Sequence, residues 1–224
     1  MLKIITICIC FFATSVIAVE PQGNQANGNK ANGPNLRTPV AVSSQEIQQL
    51  IDQLASKNTA PDTSDRRKLK HSADWQEQHQ KVVEDAYKKL VTIGKPAFPQ
   101  LLANLKVQRY SLTRTYSRAM NHSVGYICGE IIEDQVQVVG MGYKMRTGSD
   151  GIMHGYRDFI SEVYRGDLNK WWEANKEKSL KEMKLDALKW KIAWEEKIGF
   201  TDAKDREAYV PELLKKLAEI EAQK

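Results

Sequence analysis

Few residues of this chain are of types that do chemistry. The histidines are His71, His79, His122 and His154. His71 and His79 lie eight residues apart with Asp74 and Glu77 between them. Helical metal sites pair their ligands at i, i+3 or i, i+4, as in His-Glu-x-x-His, so neither spacing nor ligand number makes a metal site. No metal and no cofactor is expected. Cys128 shares an apolar stripe with Val124, Ile127 and Ile131, where cysteine serves as a small hydrophobe, and no base is indicated beside it. Nucleophile elbows, phosphate loops and zinc signatures are absent from the sequence, so no reaction and no catalytic residue can be named.

Binding chemistry has better candidates. Gly140, Gly142, Gly148, Gly151 and Gly155 punctuate a stretch carrying Tyr143, Asp150, His154, Tyr156, Arg157 and Asp158. Irregular segments on a rigid scaffold are where binding groups tend to sit, although a hairpin that only covers one end of the helices would look the same. A second group, Arg109, Tyr110, Arg114 and Arg118 with Tyr116, mixes guanidinium and phenol groups suited to a protein surface. Four tryptophans, Trp171, Trp172, Trp190 and Trp194, offer faces for sugar rings, but their spacing among Leu and Met suits a core better.

Helices must position these groups. Ser43 with Glu46 reads as a capping box, and Ile47, Leu50, Ile51 and Leu54 follow as an i, i+3, i+4, i+7 stripe. After a polar break at 57–72, a second helix runs from about Ala73 through Trp75 to Ile93, with Val82, Val83, Ala86, Tyr87, Leu90 and Val91 at the spacing of one helix face. Gly94 stops it, and Lys95-Pro96 opens a third helix with Phe98, Leu101, Leu102 and Leu105. Leu112, Tyr116, Ala119 and Met120 suggest that the helix resumes, running into the stripe Val124, Ile127, Cys128, Ile131, Ile132 or breaking near Asn121. Val139, Met141, Tyr143 and Met145 alternate like a strand, 148–151 reads as a turn, and 152–156 as its return. Beyond Asp167 helices are expected again. Ser179 with Glu182 makes a capping box, and Leu180, Met183, Ala187, Trp190, Trp194 and Ile198 form the stripe that follows. Gly199 ends that helix and Pro211 opens the last one.

The run Leu50-Ile51-Asp52-Gln53-Leu54, and then Leu90-Val91-Thr92-Ile93-Gly94-Lys95-Pro96-Ala97-Phe98-Pro99-Gln100-Leu101, resembles a degenerate HEAT-type helical repeat. In that family one helix ends Leu-x-x-Ile-Gly and a Pro-containing segment starts the next. The resemblance implies stacked helical hairpins with grooves between them, used to bind proteins. The segment from Trp171-Trp172 through Ser179 to Trp190 and Gly199-Phe200 is similar to the Trp-rich tails of exported bacterial proteins of uncharacterised activity that carry HEAT-like helices. That second likeness implies no activity.

Charge and termini set the class. The 224-residue chain has a formal charge of +5, and between Asp65 and Met120 twelve Lys and Arg face five Asp and Glu, whereas 167–224 holds thirteen of each sign. Lys3, the apolar run from Ile4 to Ala13, and Val16 and Ala18 as a small-x-small site read as a secretory signal. Its run is shorter than the roughly 20 residues that span a bilayer. The expected organisation is a signal peptide at 1–18, an Asn/Gly-rich disordered linker at 19–42, a HEAT-like helical region at 43–135, a Gly-rich insertion at 136–166 and a Trp-rich helical region at 167–224. The expected fold is all-α with a small irregular or β-hairpin insertion. The expected product is a secreted or periplasmic binding or scaffold protein with a protein partner and no transmembrane segment in its mature part. An anionic glycan is a second partner class, export disfavours nucleic acid, and an envelope enzyme or glycan-binding module built on 139–158 is the competing reading.

Overall fold

A computed structural model of the chain describes residues 42–65, 69–115, 119–137, 146–151, 153–154, 158–200 and 203–223. The signal at 1–18, all but the last residue of the linker and the expected strand at 139–145 lie outside them.

The described part is mostly helical, with two small antiparallel hairpins. The elements are α1 (Ser44–Gln53), α2 (Glu77–Ile93), a 3-10 turn (Lys95–Ala97), α3 (Phe98–Ala103), β1 (Tyr110–Thr115), β2 (Ala119–Ser123), α4 (Val124–Val136), β3 (Arg146–Thr147), β4 (Met153–His154), α5 (Phe159–Tyr164), α6 (Leu168–Asn175), α7 (Leu180–Ile198) and α8 (Ala203–Glu221).

Local chemistry explains most of the boundaries. Ser43 Oγ accepts from the Glu46 amide at 3.1 Å and starts α1, whose Ile47, Leu50 and Ile51 are buried together with Leu54 just beyond it. Gly94, at φ +74°, turns the chain from α2 into the 3-10 turn, where Pro96 needs no N–H partner. Ser179 and Glu182 form the full reciprocal box at the start of α7. Asp158 and Asp167 cap α5 and α6 by accepting from the Ser161 and Lys170 amides.

The sequence pattern misleads in three places. Helix α2 starts at Glu77 and not at Ala73, leaving Trp75 in the preceding loop. The segment read as a resumed helix at Leu112–Met120 is the hairpin β1–β2, with Leu112 opposite His122 and Thr115 opposite Ala119. Thr113 and Thr115 favour the extended backbone, and a bulge at Ser111 bends the strand so that Leu112 points inward. Helix α8 begins at Ala203, so Pro211 sits inside it and does not open it. Buried Val210 anchors the turn before Pro211 against the rest of the fold.

One core runs from α1 to the first half of α7 and is filled by Ile51, Leu90, Phe98, Ile127, Ile131, Trp171 and Met183 among others. A smaller one lies between α7 and α8, around Leu188, Leu213 and Ile220. The Gly148–Gly151 turn closes β3 onto β4, with the Gly151 amide donating to Gly148 O at 3.0 Å. Ser149 in that turn donates from both its amide and its hydroxyl to Ile198 O, at 3.0 and 2.9 Å, fastening the turn to the end of α7. No helix among the described residues is long and apolar enough to cross a membrane.

Candidate functional site

Where α2 passes the β1–β2 hairpin, the two elements leave an open cleft of about 490 Å³. Gln80, Glu84, Tyr87 and Lys88 face it from α2, at the i, i+4, i+7, i+8 spacing of one helix face. Strand β1 forms the opposite wall with Tyr110 and Leu112–Thr115, and Leu69, His71 and Trp75 close one end.

The walls are braced from behind. Gln80 is buried, and its Nε2 donates to Ser111 O at 3.3 Å while its Oε1 accepts from Ser56 Oγ at 3.5 Å. Arg114 reaches across to α4, donating from Nε to Glu130 Oε2 at 3.2 Å and from Nη2 to Glu130 Oε1. Its guanidinium also lies 5.4 Å from the centre of the Tyr87 ring, and the Tyr87 hydroxyl donates to Asp134 Oδ2 at 3.1 Å. Burial, with Asp134 and Glu130 nearby, keeps the Tyr87 phenol protonated far above its ordinary range. Burial also raises the Glu130 carboxyl, against the pull of Arg114. Behind β2, His122 is buried and stacks on Tyr126 with ring centres 4.1 Å apart. Burial, helped by the Arg114 charge, lowers its pKa and so favours the neutral ring.

A carboxylate group on α4 carries a pH dependence. Burial first, then Asp158, Asp134 and Glu130, push Glu133 from its ordinary 4.5 up to about 7. Between those two values the folded chain holds a proton that the unfolded chain has released. Stability therefore falls as pH rises from about 4.5 to about 7, and the loss is complete above that. Glu133→Gln should erase this fall: its melting temperature should match the native protein at pH 4.5 and exceed it at pH 8. Parallel melting curves of the two proteins across that range would refute the assignment.

The expected site residues divide. Tyr110 and Arg114 meet in the cleft. The Tyr110 hydroxyl lies 2.9 Å from Thr113 Oγ1, and burial raises its pKa. Arg114, expected to line a binding surface, lies in the cleft wall and is paired with Glu130 of α4. Arg109 is exposed, with Nη2 3.8 Å from Asp52 Oδ1, and does not line the cleft. Asp150 is exposed in the β3–β4 turn, and for His154 only its place in β4 is described. Arg118, Tyr143 and Tyr156, with Tyr116 and Arg157, lie outside the described residues.

The tryptophans are packing groups before anything else. Trp171 is wholly buried beside Phe98, Trp172 meets the Phe98 edge, and Trp190 stacks with Trp194. Cys128 is buried, which pushes its thiol up to about 12 and removes the reactive thiolate at neutral pH. Among the described residues no three His, Cys, Asp or Glu side chains gather as a metal-ligand set.

Sequence reasoning missed Gln80, Trp75, Tyr87 and Glu130 as parts of one site. Gln80 left a trace, since it is a polar residue on the buried stripe shared with Val83 and Leu90. A second, wider groove carries Lys95, Lys184 and Lys216 beside Asp134 and Glu219, with Lys216 Nζ 3.4 Å from Glu212 Oε1. Comparison with protein-family models, curated proteins and solved structures found no match to this chain.

Proposed function

We propose that this chain is an exported binding or scaffold protein that takes hold of a protein partner through the cleft between α2 and β1. The bracing of that cleft carries the reading. Gln80 ties α2 to Ser111, and the Arg114–Glu130 pair, lying over Tyr87, ties β1 to α4, so the walls stand ready before anything binds. A pre-formed site spends little interaction energy on ordering itself, which is what a module that binds without reacting needs. The signal-like first eighteen residues support export. The Gly94–Pro96 corner joining α2 to α3 supports a single HEAT-like pair, with the β1–β2 hairpin standing where a regular repeat would continue in helix.

Capture from envelope extracts tests the reading. Trp75→Ala alters the end of the cleft without touching the core, since Trp75 lies in a loop and is only half-buried. A protein retained by the native chain should fall at least tenfold in recovery with Trp75→Ala at an unchanged melting temperature. Equal recovery on both, or nothing retained above a blank support, overturns the proposal.

A further inference from the structure

We infer that Asp134 is a positioning residue for the cleft: standing in the neighbouring groove, it holds the Tyr87 hydroxyl, and by doing so it leaves Glu130 free to seat Arg114 in the cleft wall. This rests on the reading of the cleft as a protein-binding site and states what keeps that site in its binding form.

A single hydrogen bond joins the two cavities. Tyr87 lines the cleft, Asp134 lines the groove of about 1070 Å³ beside it, and the Tyr87 hydroxyl donates to Asp134 Oδ2 at 3.1 Å. Glu130 and Asp134 stand one turn apart on α4, and neither lines the cleft. Both act on it from behind, Glu130 through Arg114 and Asp134 through Tyr87.

Competition for Glu130 carries the inference. Arg114 takes both oxygens of that carboxylate, Oε2 with Nε at 3.2 Å and Oε1 with Nη2. The Tyr87 hydroxyl is also near enough to Glu130 to help hold its carboxyl down. The phenol therefore has two carboxylates in reach, and its choice decides how Arg114 is held. Asp134 is exposed, and its Oδ1 takes no bond among the described residues, so it accepts the hydroxyl without giving up another partner. With Asp134 removed, the hydroxyl of the desolvated Tyr87 still needs an acceptor, because a buried donor left unbonded is costly. Glu130 is the one at hand. Sharing it would weaken the two-pronged hold on Arg114, whose guanidinium lies 5.4 Å from the Tyr87 ring centre, and the wall facing the partner would shift. Groups in one such network respond together, so a change on the groove side is read on the cleft side.

The test measures two things on the whole protein: exchange of the Arg114 Nε–H with water, read by NMR, and recovery of the protein that the native chain retains from envelope extracts. Asp134→Ala removes the acceptor, and Asp134→Asn keeps an acceptor without the charge. Glu219→Gln is the control, since it removes a charge from the same groove at a residue whose neighbour is Lys215, at 3.9 Å on α8. In Asp134→Ala, exchange should rise and recovery should fall, each by at least about fivefold, the worth of one hydrogen bond. The melting temperature should stay within about 4 °C of native. Asp134→Asn and Glu219→Gln should leave both readings within about twofold. In a Tyr87→Phe background there is no hydroxyl to redirect, so adding Asp134→Ala should change Arg114 exchange by less than about twofold. An Arg114 signal unmoved by Asp134→Ala, moved as far by Glu219→Gln, or moved as far in the Tyr87→Phe background overturns the inference. Recovery that falls with Trp75→Ala and not with Asp134→Ala overturns it too, while the cleft stands as the binding site. If the Arg114 signal responds but neither Trp75→Ala nor Asp134→Ala changes recovery, the reading of the cleft falls and this inference with it.

Discussion

Replacing Lys191 with methionine is expected to cost about 3–5 kcal/mol of folding stability, because it removes one partner of a buried ion pair. Lys191 and Glu195 sit one turn apart on α7 with side chains 5 % and 0 % exposed, and Lys191 Nζ lies 2.8 Å from Glu195 Oε1. The ammonium also lies 5.1 Å from the Trp194 ring centre. Such a pair gains little over an apolar replacement of the same volume, but half of it is worse than either. The double variant Lys191→Met, Glu195→Leu should therefore recover most of what the single variant loses. For a chain of this size each kcal/mol moves the melting temperature by about 2–4 °C, so the single variant should melt roughly 6–20 °C lower. A loss below about 1 kcal/mol in urea titration would mean that water reaches the pair and that the helix face is solvated after all.

Gly125→Ala is expected to be similarly severe, by steric means. A Cβ at Gly125 would stand 2.1 Å from Leu105 O and 2.6 Å from Leu105 C, both main-chain atoms that no rotamer change can withdraw. The Gly125 amide donates to Val107 O at 2.9 Å, so the first turn of α4 lies directly on the chain leaving α3. Overpacking typically costs 1–3 kcal/mol, and a clash with main chain belongs at or above the upper end of that range. Gly129 is the matched control one helical turn on. A Cβ there would meet Leu168 Cδ1 at 3.3 Å, the movable end of a side chain. Alanine also favours a helix interior by about 1 kcal/mol over glycine, so Gly129→Ala should be near neutral. The comparison needs only two melting curves. Equal stability of the two variants would contradict the close approach of α4 to the α3 exit. Because α4 carries Glu130, the same clash should also shift Arg114 and the β1 wall of the cleft.

How much of this could be read in advance differs by element. The α1 stripe, the Gly94–Pro96 corner and the Ser179 box are local, and each was legible because its own residues dictate it. Leu112 and Ala119 misled because spacing compatible with one helix face also fits two strands facing each other across a turn. The β-branched Thr113 and Thr115 were the counter-signal. On α7 the expected stripe holds at Met183 and Ala187, then burial moves to Leu188, Lys191 and Glu195. The first half of the helix faces the main core and the second faces α8, and no single period describes two partners. The cleft was the least legible part. Tyr110 and Arg114 were in hand, but what they do depends on Tyr87, Glu130 and Asp134, brought beside them by pairings more than a dozen residues apart.

The turn at Ser149 gives the Gly-rich insertion a duty of its own. Both donors of Ser149 converge on Ile198 O, one of the last-turn carbonyls that a helix leaves without an internal partner. Gly199 stands so close that a Cβ there would lie 2.5 Å from Ser149 Oγ. Excising the loop would thus also fray a helix that begins more than thirty residues downstream, and trimming it for a smaller protein would let water in toward the charges α7 keeps dry.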